Sequence, residues 1–180
     1  MSDNPTEGAD WCAWVDAYGA RLMLYARQQT RTEADAEDVM QDALLQLVRA
    51  VESGRYVGEP RGWLPYVLAA IRHRAMDLGR RRQTRLKYEQ LNHEAQVEGT
   101  VNPWLHNAHD DDVYRLHVER ILQRMSREYA EVLMLKIWEG LTFTQIAEVT
   151  GENVSTINSR YRRALERFRT ALANDPLPDR

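Results

Sequence analysis

The sequence predicts an all-α protein with two small helical domains joined by a flexible linker, and the second domain contains a helix-turn-helix. Apolar residues recur at three- and four-residue steps in two separate blocks, which is the pattern of amphipathic helices. A polar stretch without that period separates the blocks. A length of 180 residues with 43% hydrophobic content is enough for one ordinary domain or two small ones.

The first block opens with two amphipathic helices, after residues 1–10, which we expect to be a disordered tail. The first helix is predicted from Trp11 to about Gln29. Thr32 is placed to cap the second helix, and Gly54 is placed to end it. The buried stripe of the second helix is predicted to consist of Ala36, Val39, Met40, Ala43, Leu44, Leu47, Val48 and Val51.

One face of the second helix is acidic, because residues 33–42 carry five acids and no base. Four polar acceptors lie about one helical turn apart, and we call them the acidic ridge: Asp35, Asp38, Gln41 and Asp42. Charged helix surfaces often serve solubility alone. A ridge without an interleaved lysine gains nothing from intrahelical pairing, however, so the pattern favours an external basic partner.

The third helix is predicted to have Pro65 in its first turn, to include Trp63 and to run to about Arg82. Residues 72–87 carry seven Arg or Lys and one acid, although the whole chain has a net charge of −3. Aromatic rings beside cations can bind a single nucleic-acid strand by stacking and phosphate pairing. Aromatics at helical spacing more often pack in a core, and we expect most of the contacts of Trp63 and Tyr66 to be of that kind. The candidates for strand binding are Trp63, Tyr66, Arg72, His73, Arg74, Arg80, Arg81 and Arg82.

The helical period disappears at residues 86–112, which we predict to be the linker between a first domain at 11–85 and a second at 113–172, followed by a tail at 173–180. His106, His109 and His117 could suggest a metal site. No thiolate or glutamate framework accompanies them, so we expect neither a metal nor another cofactor.

The second block ends in two short helices joined by a tight turn. Thr142 and Gln145 have the capping-box spacing, Gly151 lies where the chain must turn, and Asn153 can cap the final helix. An amphipathic helix with a solvated basic face is the alternative, but the turn chemistry favours a helix-turn-helix that lies in a major groove. Apolar Val154, Ile157, Tyr161, Leu165 and Phe168 are predicted on its buried face. The exposed face would contact duplex DNA through Ser155, Thr156, Asn158, Ser159, Arg160, Arg162 and Arg163.

Several classes of protein do not fit the sequence. The chain has a single cysteine, Cys12, which excludes an internal disulfide and is expected to be a small core residue. It has no run of eighteen apolar residues, so we expect a cytoplasmic protein without membrane insertion. It also has no glycine-rich phosphate loop or nucleophile motif, so we do not expect an enzyme.

Three segments together resemble the extracytoplasmic-function sigma factors of bacterial RNA polymerase. They are DAEDVMQDALLQLVRA (35–50), WLPYVLAAIRHRAMDLGRRR (63–82) and REYAEVLMLKIWEGLTFTQIAEVTGENVSTINSRYRRALERFR (127–169). The resemblance covers nearly the whole chain apart from the tails and the linker. It implies that the chain binds core RNA polymerase, directs it to specific promoters and initiates transcription.

The resemblance also implies roles for individual residues. The acidic ridge matches the surface that binds the clamp coiled coil of the largest polymerase subunit. The cations of the third helix match the surface that contacts the melted minus-ten strand, and the final helix matches the reader of the minus-thirty-five duplex. Such factors are often inhibited by an anti-sigma factor, and we expect one here.

Two positions depart from the family pattern. His73 stands where many relatives have an Asn at the mouth of a pocket for a flipped base, and an imidazole cannot copy the paired donor and acceptor of an amide. Asn158 stands where a Lys or Arg is common, which favours a base that an amide can serve, such as adenine.

A stand-alone helix-turn-helix repressor or activator that binds duplex DNA is the alternative function. It would explain the final helices equally well. It would explain neither the acidic ridge nor the basic third helix.

Overall fold

The computed structural model of the chain describes residues 11–58, 62–90 and 112–175, and every regular element in these ranges is helical. The chain divides into two compact units, Met1–Asn102 and Pro103–Arg180. The predicted all-α architecture with two helical domains is therefore confirmed. The predicted terminal tails lie mostly outside the described residues, as does most of the predicted linker. The helices are α1 (Trp11–Gln29), α2 (Glu33–Glu52), α3 (Trp63–Gln90), α4 (Asp112–Arg124), α5 (Arg127–Leu133), α6 (Phe143–Thr150) and α7 (Val154–Asn174).

Unit 1 is a three-helix packing in which each of α1, α2 and α3 contacts the other two. Its fully buried side chains come from all three helices and include Leu22, Tyr25, Leu47, Leu68 and Ile71. Full burial of one such side chain contributes about 1.5–3 kcal/mol, so this shared core holds the helix faces in place. Cys12 is exposed on α1, so the expectation that it lies in the core is wrong.

Local signals at the ends of α2 act as predicted. The Thr32 hydroxyl oxygen accepts a hydrogen bond from the Asp35 amide at 3.1 Å. Gly54 follows the helix with a φ of 67°, a left-handed conformation that costs glycine least. An ion pair between Arg27 and Glu33 spans the short connection from α1.

The third helix is longer than predicted. It begins at Trp63, with Pro65 in its first turn, and continues to Gln90 instead of ending near Arg82. Residues 86–90, assigned to the linker from the sequence, are therefore helical. Most residues of the segment 83–90 have high helix propensity, which can extend a helix without the apolar period that the prediction relied on.

Unit 2 contains α4 to α7, and α5 packs mainly against α7. Its core joins Leu122, Ala130, Leu133, Met134 and Ala164, with Tyr161, Leu165 and Phe168 packed against it. The buried face of α7 thus includes an alanine that the sequence analysis overlooked. Val154, predicted on that face, is 40% exposed because it is the first residue of the helix.

The helix-turn-helix consists of α6, a turn and α7. A five-residue π segment, Met134–Trp138, follows α5, and Gly140 then turns the chain with a φ of 66°. Thr142 and Gln145 form the predicted capping box at the start of α6. Gly151 adopts a φ of 72° after α6, and the Asn153 side chain accepts from the Thr156 amide at 2.7 Å. These contacts fix the start of α7, the helix predicted to read DNA.

Candidate nucleic-acid and protein interfaces

The acidic ridge lies on the exposed side of α2, opposite the stripe that packs in the core. Asp38, Gln41 and Asp42 are exposed, and Asp35 is half-buried. Its two ends form ion pairs with α3, Arg82 to Asp35 at 3.6 Å and Arg74 to Asp42 at 3.7 Å. Asp38 makes no ion pair with any residue that the structure describes. The ridge therefore has partly neutralised ends and an open middle.

A cleft of about 290 Å³ lies between the acidic ridge and the cations of α3, which line it together. The packing of α2 on α3 places the acidic and basic faces side by side. Their ion pairs are solvent-exposed, and such pairs typically contribute about 0–1 kcal/mol. The cleft is lined by Asp35, Asp38, Val39, Gln41, Asp42, Arg74, Asp77, Leu78 and Arg81.

The basic face of α3 remains largely accessible. His73 and Arg81 are exposed, and Arg80 pairs with Asp77 one turn earlier at 3.6 Å. Arg72 is half-buried, with Nη1 3.3 Å from the Met76 sulfur. The predicted cations therefore share one helix, but several of them already have partners within the protein.

Trp63 is a core residue. It is 2% exposed and stacks on Trp11 with ring centroids 4.2 Å apart, while Trp14 meets it edge-on at 5.8 Å. A ring enclosed in this way cannot offer its face to a base, so its inclusion among the strand-binding candidates is wrong. The packing alternative, stated from the spacing, is the correct one for this residue.

Tyr66 is half-buried one turn after Trp63. Its ring meets Tyr56 edge-on at 5.5 Å, and its hydroxyl lies 3.4 Å from Nε2 of Gln46. Partial burial raises the pKa of the Tyr56 hydroxyl above its ordinary value, so this group stays neutral at physiological pH. Tyr66 as a whole is therefore only partly accessible.

The polar face of α7 differs from the basic face of α3, because capping hydrogen bonds hold the first turn of α7 in place. Ser155, Ser159, Arg162 and Arg163 are exposed, whereas Thr156 and Asn158 are half-buried. The Ser155 hydroxyl donates to Oδ1 of Asn153 at 2.7 Å, the same oxygen that caps the helix. The first turn of α7 is thus held by its own cap.

Arg160 departs from the sequence prediction. Its side chain is 14% exposed, and Nη2 lies 3.1 Å from Oε1 of Glu152 and 3.5 Å from Oε2 of Glu128. A guanidinium held between two carboxylates is not free to neutralise phosphate on the flank of the helix. The expected phosphate contact is therefore corrected to an internal one.

A cleft of about 370 Å³ lies beside the amino-terminal half of α7. Two of its residues, Glu128 and Tyr129, belong to α5 and were missed from the sequence, because no periodic signal links them to α7. The Tyr129 ring also carries the Arg167 guanidinium at 4.6 Å. The cleft is lined by Glu128, Tyr129, Ser155, Thr156, Ser159, Arg160 and Arg163.

Neither a metal site nor a membrane-spanning helix is found in the part of the chain that the structure describes. In those ranges no three His, Cys, Asp or Glu side chains are grouped closely enough to hold a metal ion. No helix there has both the length and the apolar character needed to cross a bilayer. His117 is buried in α4, and His106 and His109 lie outside the described residues.

Comparisons with known proteins agree with this two-unit arrangement. Residues 14–85 match the family model for Sigma-70 region 2, and residues 115–168 match that for Sigma-70 region 4. The chain is 25% identical over 147 residues to the RNA polymerase sigma factor SigV of Bacillus subtilis (strain 168), covering 82% of this chain and 81% of SigV. It is 29% identical over 175 residues to the ECF RNA polymerase sigma factor SigK of Mycobacterium sp. (strain KMS), covering 88% of this chain and 84% of SigK.

The fold also resembles that of a solved sigma factor. The RpoE chain from Bartonella quintana, crystallised in complex with the anti-sigma factor NepR, aligns with a TM-score of 0.68 at 20% identity. The alignment covers 95% of this chain and 99% of that one.

These matches define the class: the chain belongs to the sigma-70 family of RNA polymerase sigma factors. Within that family it is a sigma factor of the extracytoplasmic-function group, and it acts in promoter-directed initiation of transcription. A stand-alone helix-turn-helix regulator would give no reason for the region 2 match in unit 1, so that alternative is set aside.

Proposed function

We propose that the two units divide initiation among three surfaces. In unit 1 the acidic ridge binds the clamp coiled coil of the largest polymerase subunit, and the basic face of α3 contacts the melted minus-ten strand. In unit 2 the exposed face of α7 reads the minus-thirty-five duplex. The observation that carries this proposal is the presence, in one unit, of an exposed acidic surface directly beside an exposed cationic one.

The middle of the ridge supports its role in polymerase binding. Asp38 and Gln41 are exposed, and Asp38 has no ion pair with described residues, so both side chains can accept hydrogen bonds from a basic partner. Asp35 and Asp42 would exchange Arg82 and Arg74 for cations of the polymerase. Because each internal pair is exposed and weak, this exchange has a small cost.

The basic face of α3 supports a role in strand binding. His73 is exposed, and it lies on α3 between Arg72 and Arg74. A flipped base is recognised by pocket shape and by hydrogen bonds to its edge, and an imidazole supplies one donor or acceptor for that purpose. Arg81 and the arginines released from the ridge would pair with strand phosphates.

We expect His73→Ala to change the preference for the unpaired base while sparing upstream binding. The measurement is transcription from templates that carry a preformed bubble, scored over all four bases at the flipped position. Arg80→Ala is the control, since it removes a cation from the same helix without removing an imidazole. An unchanged base ranking in His73→Ala would mean that this side chain is merely solvated.

The face of α7 supports duplex reading, because serine and arginine side chains at its start are suited to base edges and phosphates. Ser155, Ser159 and Arg163 line one cleft at the amino-terminal half of the helix, where such helices enter the major groove. Half-buried Asn158 would add a preference for a base that an amide can serve, such as adenine.

An inhibitor and a cellular site complete the proposal. An anti-sigma factor would cover the same charged surfaces, and the similarity in fold to a sigma factor solved with its anti-sigma factor supports this expectation. The chain would act in the cytoplasm, where its polymerase is found, and without catalysis of its own.

A pull-down with core RNA polymerase tests the proposal as a whole. The chain should bind core polymerase in the absence of DNA, and sequencing of the transcripts that the complex directs should reveal one shared promoter pattern. Tight, sequence-specific binding of duplex DNA by the free chain, together with no binding to core polymerase, would contradict it.

A further inference from the structure

Among the arginines at residues 160–163 of α7, Arg160 is the one whose side chain is largely buried. Its side chain is 14% exposed, whereas Arg162 and Arg163, its neighbours on α7, are exposed. Its Nη2 is shared between Glu152 at 3.1 Å and Glu128 at 3.5 Å. An arginine in this setting contacts the protein first, and any role in reading DNA must be indirect.

The two carboxylates belong to different parts of the unit. Glu128 is the second residue of α5, and Glu152 lies in the turn between α6 and α7. Arg160 lies two turns into α7. One guanidinium therefore joins α5, the turn and α7 at a single point, where its Nη2 approaches both carboxylates.

The contact of Arg160 with the two carboxylates also determines the charge beside the exposed face of α7. Glu128 and Arg160 line the cleft that also contains Ser155, Ser159 and Arg163. Without the guanidinium, Glu128 and Glu152 would leave two uncompensated negative charges next to a surface that must approach phosphates. Arg160 approaches both carboxylates and compensates one of the two charges, while the exposed arginines remain for DNA.

We propose that Arg160 is a positioning residue for promoter reading: it sets the angle of α7 on α5 and the turn, and it makes no phosphate contact itself. The inference rests on the proposed role of α7. Recognition geometry tolerates errors of only about 0.5 Å or 10–20°, so a small rotation of α7 would misplace Ser159 and Arg163 against base edges. Loss of Arg160 should then reduce discrimination between promoters more than it reduces attraction to DNA.

The test uses the full chain bound to core polymerase. The probe is the upstream duplex element found by sequencing the parent's transcripts, together with versions that carry single base changes. Two quantities are measured for each variant: the ratio of affinities for the selected and the changed element, and the slope of log affinity against log salt. A phosphate contact contributes about 0.9 to that slope, whereas a positioning contact contributes nothing.

Arg160→Met should lower the discrimination ratio about tenfold, in line with the loss of one well-placed base contact, and leave the salt slope unchanged. Glu128→Gln should also lower discrimination, because it releases the same guanidinium from α5. Arg160→Lys should restore part of the ratio, since an ammonium reaches one carboxylate. Arg162→Met is the matched control on α7, and it should reduce the slope by about one while keeping the ratio.

A ratio within twofold of the parent in both Arg160→Met and Glu128→Gln would overturn the inference. A slope lowered by about one in Arg160→Met would overturn it as well, because Arg160 would then contact phosphate. If the parent itself fails to discriminate between elements, the proposed role of α7 fails, which is a different result. Thermal unfolding of each variant identifies a loss of fold, and Glu128→Gln, at a side chain 68% exposed, keeps the test informative if Arg160→Met does not fold.

Discussion

In unit 1 the charged side chains of α2 and α3 pair with each other on an exposed surface, whereas in unit 2 the polar side chains of α7 project from a helix held by caps. The pairs in unit 1, Arg82 with Asp35 and Arg74 with Asp42, are solvated, and each is worth about 0–1 kcal/mol. The Asn153 cap of α7 is a local contact typically worth about 1 kcal/mol, and it fixes geometry. Unit 1 is thus suited to exchanging partners, and unit 2 to presenting a preformed surface.

The largest effect, a loss of stability, should come from a substitution in the aromatic core of unit 1. Trp63→Ala should lower the free energy of unfolding of unit 1 by about 3–5 kcal/mol, because it leaves a cavity beside Trp11 and Trp14. Chemical denaturation followed by circular dichroism measures the loss. Val57→Ala is the control, since Val57 is 93% exposed and should change stability by less than about 0.5 kcal/mol. A stable Trp63→Ala that binds single strands poorly would return Trp63 to the strand-binding surface.

The next effect concerns the open middle of the acidic ridge. Asp38→Arg should weaken binding to core polymerase by about 2–5 kcal/mol, because it sets a cation against a basic partner, and it should change stability by no more than about 0.5 kcal/mol. Titration of labelled chain with core polymerase measures the affinity. Asp16→Arg makes the same charge reversal at an exposed site on α1 and should bind normally. Equal affinities for the two variants would remove polymerase binding from the ridge.

A smaller effect should separate the two units by function. Arg163→Ala should weaken binding to the upstream duplex by about 1–3 kcal/mol if its guanidinium contacts a base edge in two places. Transcription from a pre-melted template should be unaffected, because the proposed division of roles assigns that step to unit 1. Comparing duplex and bubble templates for this variant gives the measurement. An equal loss on both templates would show that the surfaces are not independent.

The smallest effect should come from breaking one of the exposed ion pairs between α2 and α3. Asp42→Asn releases Arg74 and should strengthen binding of the free chain to a single strand by up to about 1 kcal/mol, an effect that added salt should reduce. Fluorescence anisotropy at two salt concentrations measures it. Glu52→Gln removes the same charge at the end of α2 and should have no effect on strand binding. If Asp42→Asn binds a strand no better than the parent, Arg74 is not withheld by the ridge.

The sequence predicts best what local chemistry decides. Thr32, the Thr142–Gln145 box and Asn153 cap helices through contacts within three residues, so spacing alone locates them. Contacts across helices escape such reasoning, because they depend on how the faces pack.

The ion pairs between α3 and the acidic ridge are such contacts across helices. The ion pair of Arg160 with Glu128 is another. A basic residue in a polar run has the same sequence signature whether it faces phosphate or an internal carboxylate. The end of α3 differs from the prediction for a related reason, since its last residues continue the helix without an apolar period. The family resemblance predicts the surfaces but not their internal partners.

The sharing of arginines between α2 and α3 also affects how the chain moves before it meets polymerase. Adjacent opposite charges act as dipoles, whose field falls off faster than that of a single charge, and physiological salt screens the remainder within about 8 Å. With a net charge of −3, a chain of this kind is not drawn towards the chromosome from a distance. Its copies would stay in free diffusion instead of being sequestered on non-specific DNA, and so would compete for core polymerase in proportion to their number.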